Sequence, residues 1–223
     1  MPNWVYNSVH VAGETGEVET LVEKLGASYE VEGNEVKQAF AFWNVVKPTD
    51  LEAYTETVGS SGRSMSDPLG WYEWNCRNWG CKWEANCEDE EAEIQYSDNQ
   101  TADASFYFDT AWSTPTPIIN WLAEYCVKNG LSMDWHYEEE QGWGGEVIVE
   151  NGTVITREWD IPESHADNAS LGKDCVCEYD SDETYWFDDC PLSDEEKERR
   201  IAERKEAEEL SKSEVQELAE ESK

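Results

Sequence analysis

"FYFDTAWSTPTPIINWLAEYCVKNGLSMDWHYEE", residues 106–139, carries the reading of the fold. In the strand predicted over about 104–112, Phe106, Phe108 and Trp112 alternate with Ser105, Tyr107 and Asp109, the period-two pattern of a strand with one buried face. The pattern then changes. Thr116 is placed to cap a helix, Pro117 suits its first turn, and Ile119, Leu122, Ala123 and Cys126 recur at helical spacing until Asn129 and Gly130 end it. Alternation returns over Leu131 to Glu138, with Leu131, Met133, Trp135 and Tyr137 on one face. Strand, helix and strand follow one another without a long break.

Beyond this stretch, "GGEVIVENGTVITREW" (144–159) reads as a hairpin turning at Asn151-Gly152, a pair suited to the positive φ angles of a two-residue turn. Before it, a strand is predicted over Trp4 to Ala12. A helix follows over Gly16 to Leu25, with Val18, Leu21, Val22 and Leu25 as its stripe and Gly26 as its stop. A further strand is expected over Val36 to Val46, where Phe40 and Phe42 point one way, and another at about 84–96. Residues 48 to 70 read as a loop with at most a short helix. The order β-α-β, insertion, β-β-α-β-β-β predicts an α+β fold with helices on one face of an antiparallel sheet. Three regions follow: a domain over 1–160, an acidic irregular extension over 161–190, and a charged C-terminal helix or tail over 191–223, where Ser193 and Glu196 form a capping box.

Charge dominates the composition. The chain holds 51 Asp and Glu against 16 Lys and Arg, a net of −35. Residues 191–223 hold 12 acidic and 7 basic side chains, a net of −5, which leaves −30 on residues 1–190. The acidity belongs to the body and not to a tail. Such a surface repels phosphates and anionic lipid and attracts basic proteins, so direct nucleic-acid or membrane binding is not expected. The opening residues lack a basic, apolar leader, and no apolar run reaches membrane-spanning length. A cytoplasmic protein whose seven cysteines stay reduced is expected.

Catalytic and cofactor motifs are missing: no G-x-S-x-G, H-E-x-x-H, P-loop or dinucleotide-binding glycine turn occurs. A non-enzymatic protein without a cofactor is predicted. The densest unusual stretch is "WYEWNCRNWGCKWEANC" (71–87). Its Cys76, Cys81 and Cys87 lack the C-x2-C spacing of structural zinc sites, and His10, His136 and His165 stand apart from one another. The alternative metal site is Cys175, Cys177 and Cys190 with one more partner. A base-stacking platform needs a basic groove, whereas only Arg77 and Lys82 accompany Glu73, Glu84 and Glu88 here. Trp71, Trp74 and Trp79 therefore read as indoles buried by a short helix.

What remains is the acid on the predicted strands. Asp134, His136 and Glu138 lie opposite the aromatic face of their strand. Glu139, Glu140, Glu146, Glu150 and Glu158 follow close behind. Like charges on neighbouring strands destabilise a sheet, so a surface that keeps them points to a use for them. These seven carboxylates (Asp134, Glu138, Glu139, Glu140, Glu146, Glu150 and Glu158) are expected to form a partner-binding surface for a host DNA-binding protein or nuclease complex with a basic groove.

Four stretches, "MPNWVYNSVHVAG", "NCRNWGCKWEA", "FYFDTAWSTPTPII" and "YEEEQGWGGEVIVENG", resemble a family of bacteriophage and conjugative-plasmid proteins with the YubB-type ferredoxin-like domain. Asn78-Trp79-Gly80 and Thr110-Ala111-Trp112-Ser113 are the more specific parts of that resemblance. It implies a ferredoxin-like antiparallel sheet with helices on one face, makes the Trp/Cys stretch scaffold, and brings with it no enzyme activity. It also implies an accessory or anti-defence role in a mobile element. The expectation is an acidic nucleic-acid mimic that blocks a restriction, CRISPR-type or recombination complex. The alternative is a phage assembly protein docking through its C-terminal helix.

Overall fold

The first strand shows why the chain folds as it does. Over Trp4–Glu14 (β1), Val5, Asn7, Val9 and Val11 turn inward while Tyr6, Ser8 and His10 turn out, so one face can be covered and the other left open. In chain order there follow α1 (Thr15–Leu25), a ribbon of β2 (Tyr29–Val31) and β3 (Asn34–Val36), a 3-10 turn (Phe42–Asn44), α2 (Leu51–Thr55) and α3 (Trp71–Asn78). Next come β4 (Glu93–Tyr96), β5 (Thr101–Ala111), α4 (Thr116–Asn129), β6 (Ser132–Glu139), β7 (Gly144–Glu150) and β8 (Thr153–Trp159). The computed structural model describes residues 3–31, 33–56, 70–97, 100–161, 179–180 and 183–184, and residues 192, 193, 195, 197, 199 and 202.

The chain divides into two units, Met1–Ile161 and Pro162–Lys223. In the first, six strands form one sheet in the order β4-β5-β1-β6-β7-β8, every neighbouring pair antiparallel. The path β1-α1-β4-β5-α4-β6 with spatial order β4-β5-β1-β6 is ferredoxin-like, and the β7–β8 hairpin widens the sheet on the β6 side. Helix α1 lies on β1 and β5, and α4 on β6 and β7. Val18, Leu21 and Leu25 of α1, and Ile118, Ile119, Leu122, Ala123 and Cys126 of α4, join the inward residues of the strands in one core. Turn chemistry agrees: Gly130 ends α4 at φ 69°, and Asn151-Gly152 turns the hairpin at φ 51° and 74°.

At the centre of the covered face a buried polar set fixes the register. Trp135 Nε1 donates to Asn7 Oδ1 at 3.1 Å, and Asn7 Nδ2 donates to Val5 O and to Thr110 Oγ1. Rings close around Trp135, with Phe40 and Phe108 each 5.7 Å from it in edge-to-face contact.

The expected strand at Val36–Val46 is not one. Only Asn34–Val36 pairs, and the chain then crosses the core, with Ala39, Phe40, Ala41, Phe42 and Trp43 all buried. A consecutive buried run leaves no outward face for a ladder edge. Its N–H groups instead meet scattered acceptors, Ala39 N on Asp89 O and Ala41 N on Leu25 O. Similarly, residues 84–92 touch the sheet by a single bridge, Asn86 to Asp109, before β4 begins. Trp112 leaves the alternation, because β5 stops at Ala111 and Trp112 takes φ 69°, emerging 48% exposed. Thr116 makes no cap; Pro115 occupies that position. In the second unit Glu195, Lys197, Arg199 and Ala202 are helical, and Lys197 N donates to Ser193 O at 3.0 Å. Glu196 lies outside the described residues.

Candidate functional site

Register decides which carboxylates share the open face. Paired residues of an antiparallel sheet lie on the same side. One row reads Tyr107, Ser8, His136, Glu146 and Arg157, and the next reads Asp109, Tyr6, Glu138, Gly144 and Trp159. On the other side of Tyr107 lie Glu93, Ser105, His10, Asp134, Ile148 and Ile155. Asp103 faces the same way near the end of β5. Tyr6 and Tyr107, 51% and 50% exposed, stand among these acids on the two central strands. Arg157 brings a positive charge to the face and pairs with Glu146.

The seven expected residues therefore separate. Asp134, Glu138, Glu146 and Glu150 do share the open face, Glu150 at the end of β7. Glu140 sits in the β6–β7 turn, close enough to push the Tyr6 hydroxyl pKa up, after burial and together with Asp109 and Glu139. Glu139 is a correction. It is 3% exposed, accepts from Asn3 Nδ2 and Gln141 N, both at 2.7 Å, and holds the β6–β7 turn. Its odd number in β6 sends it inward beside Tyr137, so it presents no carboxylate to a partner. Glu158 is exposed but lies on the opposite side of the sheet from that face, across from Gly145, where it accepts from Tyr137 Oη at 3.3 Å. Missing from the expected set are Asp103 and Asp109 of β5 and Glu93 of β4. Asp109 was legible as the outward partner of Phe108. Its carboxyl pKa is raised by burial and by Glu88 and Glu140 nearby, against a lowering hydrogen bond from Asn86.

The Trp/Cys stretch forms a second feature. Helix α3 packs Trp74 against Trp79 at 5.4 Å, and Trp79 is buried with its Nε1 on Val46 O. Cys81 Sγ donates to Trp83 O and Cys87 Sγ to Phe40 O, while Cys76 is exposed. Among the described residues no three His, Cys, Asp or Glu gather as a metal site. Burial pushes the Cys87 and Cys126 thiols up to about 12. Cys175, Cys177 and Cys190 lie outside the described residues.

Not every indole is spent on the core. Tyr29, Trp43, Tyr54, Trp71, Trp79 and Trp83, with Val31, Val36, Asn75, Lys82 and Glu84, line a cavity of about 550 Å³. Glu84 is its acid. The residue is only part-buried, yet its carboxylate turns inward, where Phe42 N, Trp43 N and Ala85 N donate to it at 2.6, 3.0 and 3.1 Å. Two of those are orphan N–H groups at the start of the 3-10 turn, which Glu84 caps from far along the chain. Desolvation raises its pKa to about 7, against the lowering effect of those three bonds. Nothing in the sequence separates this glutamate from the others except its place inside an aromatic run.

Where the two motifs of the resemblance meet, the backbone is tight. Ser113 Oγ donates to Gly80 O at 2.8 Å, and Thr110 Oγ1 donates to Ser113 O. Gly80 has φ 88°, and a Cβ there would come within 2.7 Å of Pro117 Cδ. Beside this knot Lys82 Nζ lies 4.5 Å from the ring centre of Trp83 and 4.4 Å from that of Trp112.

No helix among the described residues is long and apolar enough to cross a membrane. No protein curated for function matches the sequence. A solved structure, the protein Api92 from Yersinia pseudotuberculosis, is similar over 72% of this chain and 99% of that one, at 9% identity and a TM-score of 0.39. The family profile described as "Ferredoxin-like domain in Api92-like protein" matches residues 82–210, more than half of the chain. With the sheet order already found, that match identifies the chain as a member of the Api92-like family, carrying its ferredoxin-like domain.

Proposed function

We propose that this is a non-enzymatic accessory protein of a bacteriophage or plasmid, as its resemblance to YubB-type proteins implies. It binds a basic host protein and acts as a nucleic-acid mimic against a DNA-processing or defence complex in the host cytoplasm. The observation that carries the reading is the open face of the sheet, where β5, β6 and β7 contribute Asp103, Asp109, Asp134, Glu138 and Glu146 within a unit, Met1–Ile161, of net charge −22. Strands β5 and β6 flank β1, so their carboxylates stand about 10 Å apart across it and spread negative charge over the face. Tyr6 and Tyr107 add rigid contact area between them. A Lys/Arg-lined groove meeting this face gains steering at long range and loses affinity in salt.

Capture from a bacterial lysate tests it, with washes at about 0.1 M and about 0.5 M salt, the latter shortening the screening length to a few ångströms. A nucleic-acid-binding complex retained at the lower salt, released at the higher and displaced by duplex DNA is the expected result. The variant Asp103→Asn, Asp109→Asn, Asp134→Asn, Glu138→Gln, Glu146→Gln should fold and fail to capture it. Equal capture by that variant would overturn the assignment. Removal of residues 191–223 should leave capture intact, and its loss would move the contact to the C-terminal helix.

A further inference from the structure

We propose that the aromatic cavity between the β2–β3 ribbon and α3 is a binding site for an organic ammonium cation, a quaternary or tertiary ammonium carried on an apolar body. This site is separate from the open sheet face, and either can fail without the other. The walls are largely aromatic: Tyr29, Trp43, Tyr54, Trp71 and Trp83 line about 550 Å³, room for a headgroup and an apolar tail together. A ring face carries negative potential, and rings grouped around one space attract a cation that is only weakly hydrated.

The polar groups at the wall are largely committed within the protein. Asn75 accepts from Tyr54 Oη at 3.0 Å and donates to Lys82 O at 2.9 Å, and Trp79 Nε1 is held by Val46 O. Glu84 accepts three backbone N–H bonds and brings the carboxylate. A ligand rich in hydrogen-bonding groups would leave them unmet here. A substituted ammonium has few or none and matches both the rings and the acid. Lys82, which also lines the cavity, already displays this chemistry, its ammonium 4.5 and 4.4 Å from the Trp83 and Trp112 ring centres, and a bound cation must displace it from Trp83. Trp83, 37% exposed, stands at the rim. The net charge of −22 on Met1–Ile161 disfavours anions, which argues against a nucleotide in the same space.

The test is titration of the full-length protein with choline and with benzyltrimethylammonium, followed by tryptophan fluorescence and by the indole N–H resonances. The uncharged isostere 3,3-dimethylbutanol serves as the comparison, and all titrations are run in about 0.5 M salt to suppress loose cation binding to the acidic surface. Saturable binding of a cation is expected, at least about tenfold tighter than the isostere. The Trp43, Trp71 and Trp83 indole signals should shift while that of Trp135 stays fixed. Trp83→Ala should weaken binding at least about fivefold with the unfolding midpoint little changed. Three results would overturn the proposal: no saturable binding, equal binding of the uncharged isostere, or shifts confined to the amides around Asp134 and Glu138.

Discussion

The two faces of one sheet obey different rules. On the covered face each residue has a partner that fixes it: Trp135 on Asn7, Asn7 on Thr110, Phe40 against Phe106, Phe108 and Trp135. On the open face the same strands carry Tyr6, His10, Asp103, Asp134 and Glu146, and packing dictates almost none of them. Because side chains alternate, β1 and β6 serve both faces with the same backbone. The covered face is therefore where substitution unfolds the protein. The open face is where charge is adjusted at small cost to the fold.

The sharpest way to break this contrast is Trp135→Ala. It removes a fully buried indole and strands Asn7 Oδ1, and should cost about 3–5 kcal/mol, read as a lowered urea midpoint. Smaller, and informative about the aromatic insertion, is Glu84. Its carboxyl takes a proton at about 7 when folded, against an ordinary value of 4.5. Between those values the folded state holds a proton that the unfolded state has released. This group's contribution is thus fully favourable below about 4.5, is lost as the pH rises to about 7, and is level above. The titratable groups around it, Tyr29, Cys81 and Cys87, have pKa values pushed above that window. Urea melts of wild type minus Glu84→Gln should show a decline on the order of 1–3 kcal/mol over that window, and a flat difference would remove the buried acid from the account.

A third variant tests the covered side near the sheet's margin. Gly145 has Tyr137 Oη, its Cζ and Arg157 O where a Cβ would be, so Gly145→Ala should cost about 1–3 kcal/mol by displacing the tyrosine. The smallest effect belongs to the open face. Asp103→Asn with Asp134→Asn should change stability by less than about 0.5 kcal/mol, with any gain largest at low salt. A large loss there would mean that the two faces are not independent.

Much of the fold was legible because its elements are long and periodic. Phe106, Phe108, Met133 and Trp135 alternate, Ile119, Leu122 and Cys126 recur by helical turns, and Asn151-Gly152 has only a few conformations open to it. The insertion between α1 and β4 was not. Phe40 and Phe42 look like one face of a strand, yet Ala39 and Ala41, which alternate with them, are buried too, which only the tertiary crossing explains. The acidic surface was half legible. Alternation puts Asp134 and Glu138 outward, but applied one residue further it also puts Glu139 inside. Strand pairing, which sequence does not give, adds Asp103 and Asp109 beside them. The cavity was invisible, because a run of tryptophans has the same composition whether its rings fill a core or leave a space.

The position of β1 in the sheet has a consequence for synthesis. It is made before the other strands of its sheet and lies between β5 and β6, and Asn7 waits for Trp135, 128 residues later in the chain, to complete its hydrogen bonds. At ribosomal rates of about 5–20 residues per second, roughly 6 to 26 seconds separate the emergence of the two. For that interval the edge of β1 that pairs with β6 stays bare, while its other edge is covered once β5 has emerged. That edge of the nascent chain is thus open to chaperones and to neighbouring chains until β6 arrives.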